Sequence, residues 1–291
     1  LFTERCWRMT ERMGMRRKKI MAGVAMYALL ALLASLVLIP VLWMVSTAFK
    51  SYGETIAKPP RWIPQQISFE AFGRLWSEYP FGTYFKNSFV IVLFSMAVSV
   101  FASCLAGYGL TRFRFRGRNS LMTFILVTQM FPSVMLLVPF YSIIGKMHLL
   151  DTHLGLILVY ISFTVPFCTW TMLGFFRALP LDLDEAARID GCNSWQCFGR
   201  IILPLTLPGI ASTSIYAFIT SWNEYMFAFI LTSRPEMKTL SVGIAEMNGF
   251  QQVRWNDMMA ASLMASLPLI LLFVCLQKYF VSGLTSGAVK S

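Results

Sequence analysis

Six stretches of the chain run without Asp, Glu, Lys or Arg for long enough to cross a bilayer. They are residues 20–49, 87–111, 119–145, 152–176, 201–233 (interrupted by Glu224 alone) and 258–277. A hydrocarbon core of about 30 Å needs about 20 apolar helical residues to span it. Backbone polar groups at that depth are satisfied in helices or closed barrels, and none of the six stretches alternates as a barrel strand does. The pattern predicts an all-α, polytopic membrane protein with six transmembrane helices, over about 20–46, 87–111, 119–144, 153–176, 205–231 and 258–280. A basic tail (1–19) precedes the spanning region (20–281), a connecting loop occupies 177–204, and a short tail (282–291) follows. Pro40, Pro132, Pro139, Pro166 and Pro268 fall inside the apolar runs, where proline removes a backbone bond and kinks a helix.

Composition fits this reading. Hydrophobic residues make up 56% of the 291 positions and charged residues 13%, against about 25% charged in soluble domains. Mean hydropathy is +0.61. The net charge of +11 argues for a membrane rather than nucleic acid, because the cations sit between apolar runs. Arg5, Arg8, Arg12, Arg16, Arg17, Lys18 and Lys19 precede the first run. Arg112, Arg114, Arg116 and Arg118 join the second and third. Arg177, Arg188 and Arg200 join the fourth and fifth, and Lys278 and Lys290 follow the sixth. These outnumber the cations of the alternate segments, so both termini are expected in the cytoplasm of a bacterial plasma membrane. The first run resembles a signal peptide in its basic flank but is too long for one and is read as retained. Residue 1 is Leu, and the stretch before Met13 or Met15 is read as upstream translation or processing. Six cysteines without a CxxC pair and two histidines, His148 and His153, leave little for a metal site.

The 177–204 loop carries the most information. Asp182 is placed as an N-cap, with Glu185 three residues on as in a capping box. Leu183, Ala186, Ala187 and Asp190 then share one helical face, and Gly191 supplies a left-handed stop. Asn193 or Ser194 starts a second short helix towards Leu203, limited by Pro204. A bent elbow with small residues on one face suits docking in another protein's cleft.

Glu185-Ala186-Ala187, Asp190-Gly191, Ile201, Leu203 and Pro204 resemble the EAA loop of bacterial ABC importer permeases. The segment Gln277–Lys290, Asn87-Ser88 and Trp222-Asn223-Glu224 are similar to the carbohydrate-uptake, maltose-transporter-like branch. Cys192 stands where that family usually has a small Ala. The resemblance covers roughly residue 40 to the end, and implies a type I importer permease (MetI-like) fold. The eight loop residues would then be the coupling contact with a cytoplasmic ATPase. Gly283, Leu284, Thr285, Gly287 and Lys290 would reach towards the ATPase dimer. A second permease subunit, two ATP-binding subunits and an extracytoplasmic solute-binding protein would complete the importer.

The chain has no G-x-x-x-x-G-K-[ST] phosphate loop. ATP–Mg is therefore expected on a partner subunit, with no cofactor, no metal and no enzymatic activity in this chain. Glu185 is expected either to pair with a basic residue of the ATPase or to cap its own helix. Glu224 has two readings: with Trp222, Asn223 and Tyr225 it lines a sugar path, or it makes a structural hydrogen bond near the outer end of its span. Rival functions are import of another small solute, such as a polyol phosphate, and ion-coupled secondary transport. One intramembrane acid and no visible repeat weigh against the latter.

Overall fold

The computed structural model describes residues 2–249 and 253–288, with side chains over 21–248 and 253–277. The described residues are helical, without strands. Four helices are long and apolar enough to span: Met21–Ala48, Phe81–Arg112, His153–Ala178 and Trp255–Gln277. Two bent helix pairs, Arg118–Thr128 with Ser133–Lys146 (97°) and Ser194–Leu205 with Leu207–Trp222 (77°), bring the number to six if each pair makes one span. The chain divides into two compact units, Leu1–Phe72 with Trp255–Leu263, and Gly73–Arg254 with Met264–Ser291.

In the first unit, helix α1 (Phe2–Ala48) leaves the apolar side chains of residues 24–42 exposed, as a lipid-facing helix must. Beyond its end the chain is tied back. Lys50, 2% exposed, donates to the Arg61 carbonyl at 2.6 Å and sits 4.1 Å over the Trp43 ring. Asn256 donates to the Lys50 carbonyl at 3.2 Å. Burial lowers the Lys50 pKa, with Glu54 pulling the other way.

The second unit is organised on helix α3 (Phe81–Arg112), which follows the short amphipathic α2 (Glu70–Ser77) and packs on α6 (His153–Ala178) and α9 (Leu207–Trp222). Ser95, Ser99, Ser103 and Gly107 recur every fourth residue of α3, and the three serines are fully buried. Small residues let apolar helices approach closely, and their hydroxyls bond across the seam. Ser99 Oγ lies 2.7 Å from Thr164 Oγ1, and Thr169 donates to Ser103 at 3.3 Å. A Cβ on Gly107 would stand 3.1 Å from the Met172 Cβ and 3.2 Å from the Leu173 nitrogen.

Two of the expected continuous spans are interrupted. Between α4 (Arg118–Thr128) and α5 (Leu137–Lys146) the chain turns at Gln129–Pro132, where proline has no N–H to continue the ladder. The fifth run stops at Trp222 and resumes as α10 (Met226–Leu231). At this break the Glu224 carboxylate accepts from the Phe227 and Ala228 amides at 2.9 and 3.0 Å and so caps the second piece.

Candidate functional site

The 177–204 segment folds as the elbow its pattern predicts, with one correction at its start. Helix α7 (Asp182–Ile189) has Leu181 at the N-cap and no side-chain cap bond. The expected Asp182–Glu185 box is absent because Asp182 is already the first helical residue. Asp182, Asp184 and Glu185 instead place negative charge at the helix N-terminus, where the dipole favours it. Gly191 closes the helix at φ +82°. Its amide bonds the Arg188 carbonyl (3.1 Å) and the Cys192 amide the Ala187 carbonyl (2.9 Å), a complete Schellman motif. Asn193 then caps α8 (Ser194–Cys197) in a reciprocal box with Gln196, at 2.8 and 2.9 Å. A π turn over Phe198–Ile202 carries the chain on, and Pro204 starts the next short turn rather than ending the helix.

Asp184 fastens this elbow to α3. It accepts from Tyr108 at 3.0 Å and from the Cys197 thiol at 3.6 Å. Arg112 Nε stands 2.8 Å from its other oxygen, an ion pair off hydrogen-bond alignment. Arg112 also donates to the Leu179 carbonyl at 3.2 Å. A buried carboxylate must be paired, and here the pairing ties three segments together.

The eight loop residues divide by face. Glu185, Ala186, Asp190, Gly191 and Pro204 are exposed, and Ile201 and Leu203 are half-buried against the core formed by Tyr108, Phe176, Phe198 and Ile202. Ala187 is 1% exposed and belongs to that same core, so it spaces the elbow from its own bundle instead of presenting a docking surface. The elbow's most exposed large apolar groups are Ile189 (86% exposed) and Trp195 (72%). Both stand out in the sequence as bulky apolar residues in a polar loop. Asp184 was hidden among neighbouring acids.

A cavity of about 490 Å³ lies beside the two helix breaks, with Gln129, Ser133, Ser162, Tyr216, Thr220 and Glu224 among its lining. Tyr160 donates to Glu224 at 2.9 Å, and Ser241 to the Glu224 carbonyl at 2.6 Å. Of the four residues read as a sugar path, Glu224 alone lines this cavity. Trp222 is buried elsewhere, donating to the Ala265 carbonyl at 3.0 Å and stacked on Phe218. Asn223 bonds back to Ile219, and Tyr225 stacks on Phe229. Glu224 thus caps α10 and also lines the cavity.

At the other end of α3, Asn87 donates to the Glu236 and Lys238 carbonyls at 2.8 and 3.0 Å and meets His153 at 3.0 Å. Ser88 accepts from the Leu240 amide at 2.7 Å. The Asn87-Ser88 pair thus anchors the loop before α11 (Leu240–Glu246). The side chains of Gly283, Leu284, Thr285 and Gly287 lie outside those described, although helix α12 (Trp255–Ala288) runs through their backbone. Lys290 lies outside the described residues. Among the described residues no group of His, Cys, Asp and Glu is placed to hold a metal.

Residues 99–286 match the family described as the binding-protein-dependent transport system inner membrane component. The chain is 37% identical to the diacetylchitobiose uptake system permease protein DasC of Streptomyces coelicolor, over 86% of this chain and 91% of that one. It is 34% identical to the trehalose/maltose transport system permease protein MalG of Thermococcus litoralis, over 94% and 99%. A crystal structure of a bacterial ABC transporter that imports the acidic polysaccharide alginate superposes with a TM-score of 0.79 at 24% identity, covering 91% of this chain and 98% of that one. This fold, its several long apolar helices and these relatives make the chain a multi-pass membrane protein that belongs to the family of binding-protein-dependent transport system inner membrane components.

Proposed function

We propose that this chain is one pore subunit of an importer that moves a sugar or oligosaccharide inward on ATP hydrolysed by a separate subunit. The observation that carries the reading is the elbow. It is fixed to α3 by Asp184 and Arg112, and leaves Ile189 and Trp195 exposed. Two large apolar side chains left exposed on a polar loop suit burial against a partner protein. The relatives named for diacetylchitobiose and trehalose/maltose uptake support the substrate class. In this reading the elbow and both termini are cytoplasmic, the C-terminal tail approaches the ATPase, and ATP–Mg stays on the partner. A second permease subunit completes the pore, and an extracytoplasmic solute-binding protein delivers the solute. Closure of the ATPase pair pushes the elbow, which tilts the bundle as a lever and exchanges outward for inward access.

The test pairs crosslinking with transport. Cysteine at position 189 or 195, in a background without native cysteines, is expected to crosslink to the ATPase subunit. Ile189→Asp with Trp195→Asp is expected to insert normally yet lose at least about tenfold of ATP-driven uptake in proteoliposomes, the cost of roughly 1.4 kcal/mol of docking. Full uptake by the double variant would refute the docking role.

A further inference from the structure

The Glu224 cavity sits between two helix interruptions, one at Gln129–Pro132 and one at Asn223–Tyr225. Its volume of about 490 Å³ falls within the range of small-molecule pockets. Its wall mixes hydroxyl and amide groups (Gln129, Ser133, Ser162, Thr220) with aromatic rings including Tyr216 and Phe163. Hydroxyls and amides exchange hydrogen bonds with sugar hydroxyls, and ring faces cover sugar C–H groups. The formal charge is one-sided. Among the described lining residues Glu224 is an acid and none is Lys, Arg or His. Nor does the carboxylate swing freely, since Tyr160 and the Phe227 and Ala228 amides hold both its oxygens.

From this geometry we infer that the cavity is a saccharide subsite that selects by charge, admitting neutral sugars and rejecting acidic ones, with Glu224 as the residue that sets the preference. The inference rests on the importer reading above. A uronate or sulfonate entering here loses its hydration and meets no cation, a transfer that is costly for an unpaired charge. It also meets a fixed like charge whose repulsion is weakly screened away from bulk water. A neutral saccharide pays neither penalty. The selection is then made inside the membrane, downstream of whatever the solute-binding protein admits.

The experiment uses the assembled complex in nanodiscs without solute-binding protein, and equilibrium dialysis of radiolabelled maltotriose and trigalacturonate as probes. The neutral trisaccharide is expected to bind at least about tenfold tighter. Glu224→Gln should narrow that ratio. Because this change also touches the α10 cap, Gln129→Lys is measured too; it leaves the cap intact, adds a cation to the wall and should narrow or invert the ratio. The inference is overturned by uronate binding equal to or tighter than neutral binding, by a ratio that neither substitution moves, or by no binding of either probe. ATP-dependent maltotriose uptake by the same complex separates the two readings. Its absence counts against the importer itself, whereas its presence with a flat charge ratio counts against this subsite alone.

Discussion

At the scale of single residues, charge placement decides most outcomes. Asp184 and Arg112 are 10% and 6% exposed at their side chains. Removing one member of such a pair leaves the other buried and unpaired, at a cost of about 3–5 kcal/mol. Asp184→Ala should therefore lower the melting temperature of the purified subunit sharply. Asp184→Ala with Arg112→Met should recover part of the loss, because the stranded guanidinium is gone. A double variant as unstable as the sum of the singles would contradict the pairing. Lys50 gives a titration test. Its folded pKa lies below the unfolded value of 10.5 because burial disfavours the ammonium. In the window between those two values the unfolded chain binds more protons, so this group's contribution to stability rises with pH. The difference in stability between the natural chain and Lys50→Met should then shift in favour of the natural chain as pH climbs towards 10.5, as followed by denaturant melts at stepped pH.

At the scale of elements, two joints carry the architecture. The α3–α6 seam depends on small residues, and Gly107 has no room for a side chain there. Gly107→Leu would drive a side chain into the Met172 Cβ and the Leu173 backbone, so loss of correctly folded protein is expected, read by size-exclusion profile. The elbow depends on Gly191, where a Cβ meets nothing within 4 Å but φ is +82°. Its requirement is conformational. Gly191→Val should cost about 1–2 kcal/mol and Gly191→Asn much less, because Asn visits the left-handed region. ATP-driven uptake should follow that order if backbone shape sets the coupling. The loop was legible because its signals are local: a left-handed glycine, a cap residue three before Gln196, a proline. Ala187 misled because a small residue on a helix face serves close packing inward as well as docking outward. Pro132 marked a kink in its run, but the break at Glu224 escaped because a run of 20 apolar residues looks the same whether continuous or interrupted. A carboxylate that caps an interrupted helix shows in the sequence as a lone charge.

At the scale of the whole molecule, the direction of α3 separates two sets of features. Arg112, which meets the elbow acid Asp184, stands at one end of a 32-residue helix. Asn87, which holds the carbonyls of Glu236 and Lys238, stands near the other. The elbow and the 234–238 loop must therefore face opposite sides of the membrane. The proposed importer puts the elbow on the cytoplasmic side, as the basic residues flanking it predict. Single cysteines in a cysteine-free background test this with an impermeant thiol reagent. Trp195→Cys should label in inverted vesicles and resist labelling in intact cells. Glu236→Cys should show the reverse. Labelling of both positions from one side would place the elbow and the loop together and dismantle the lever, since a segment outside the cell has no ATPase to meet.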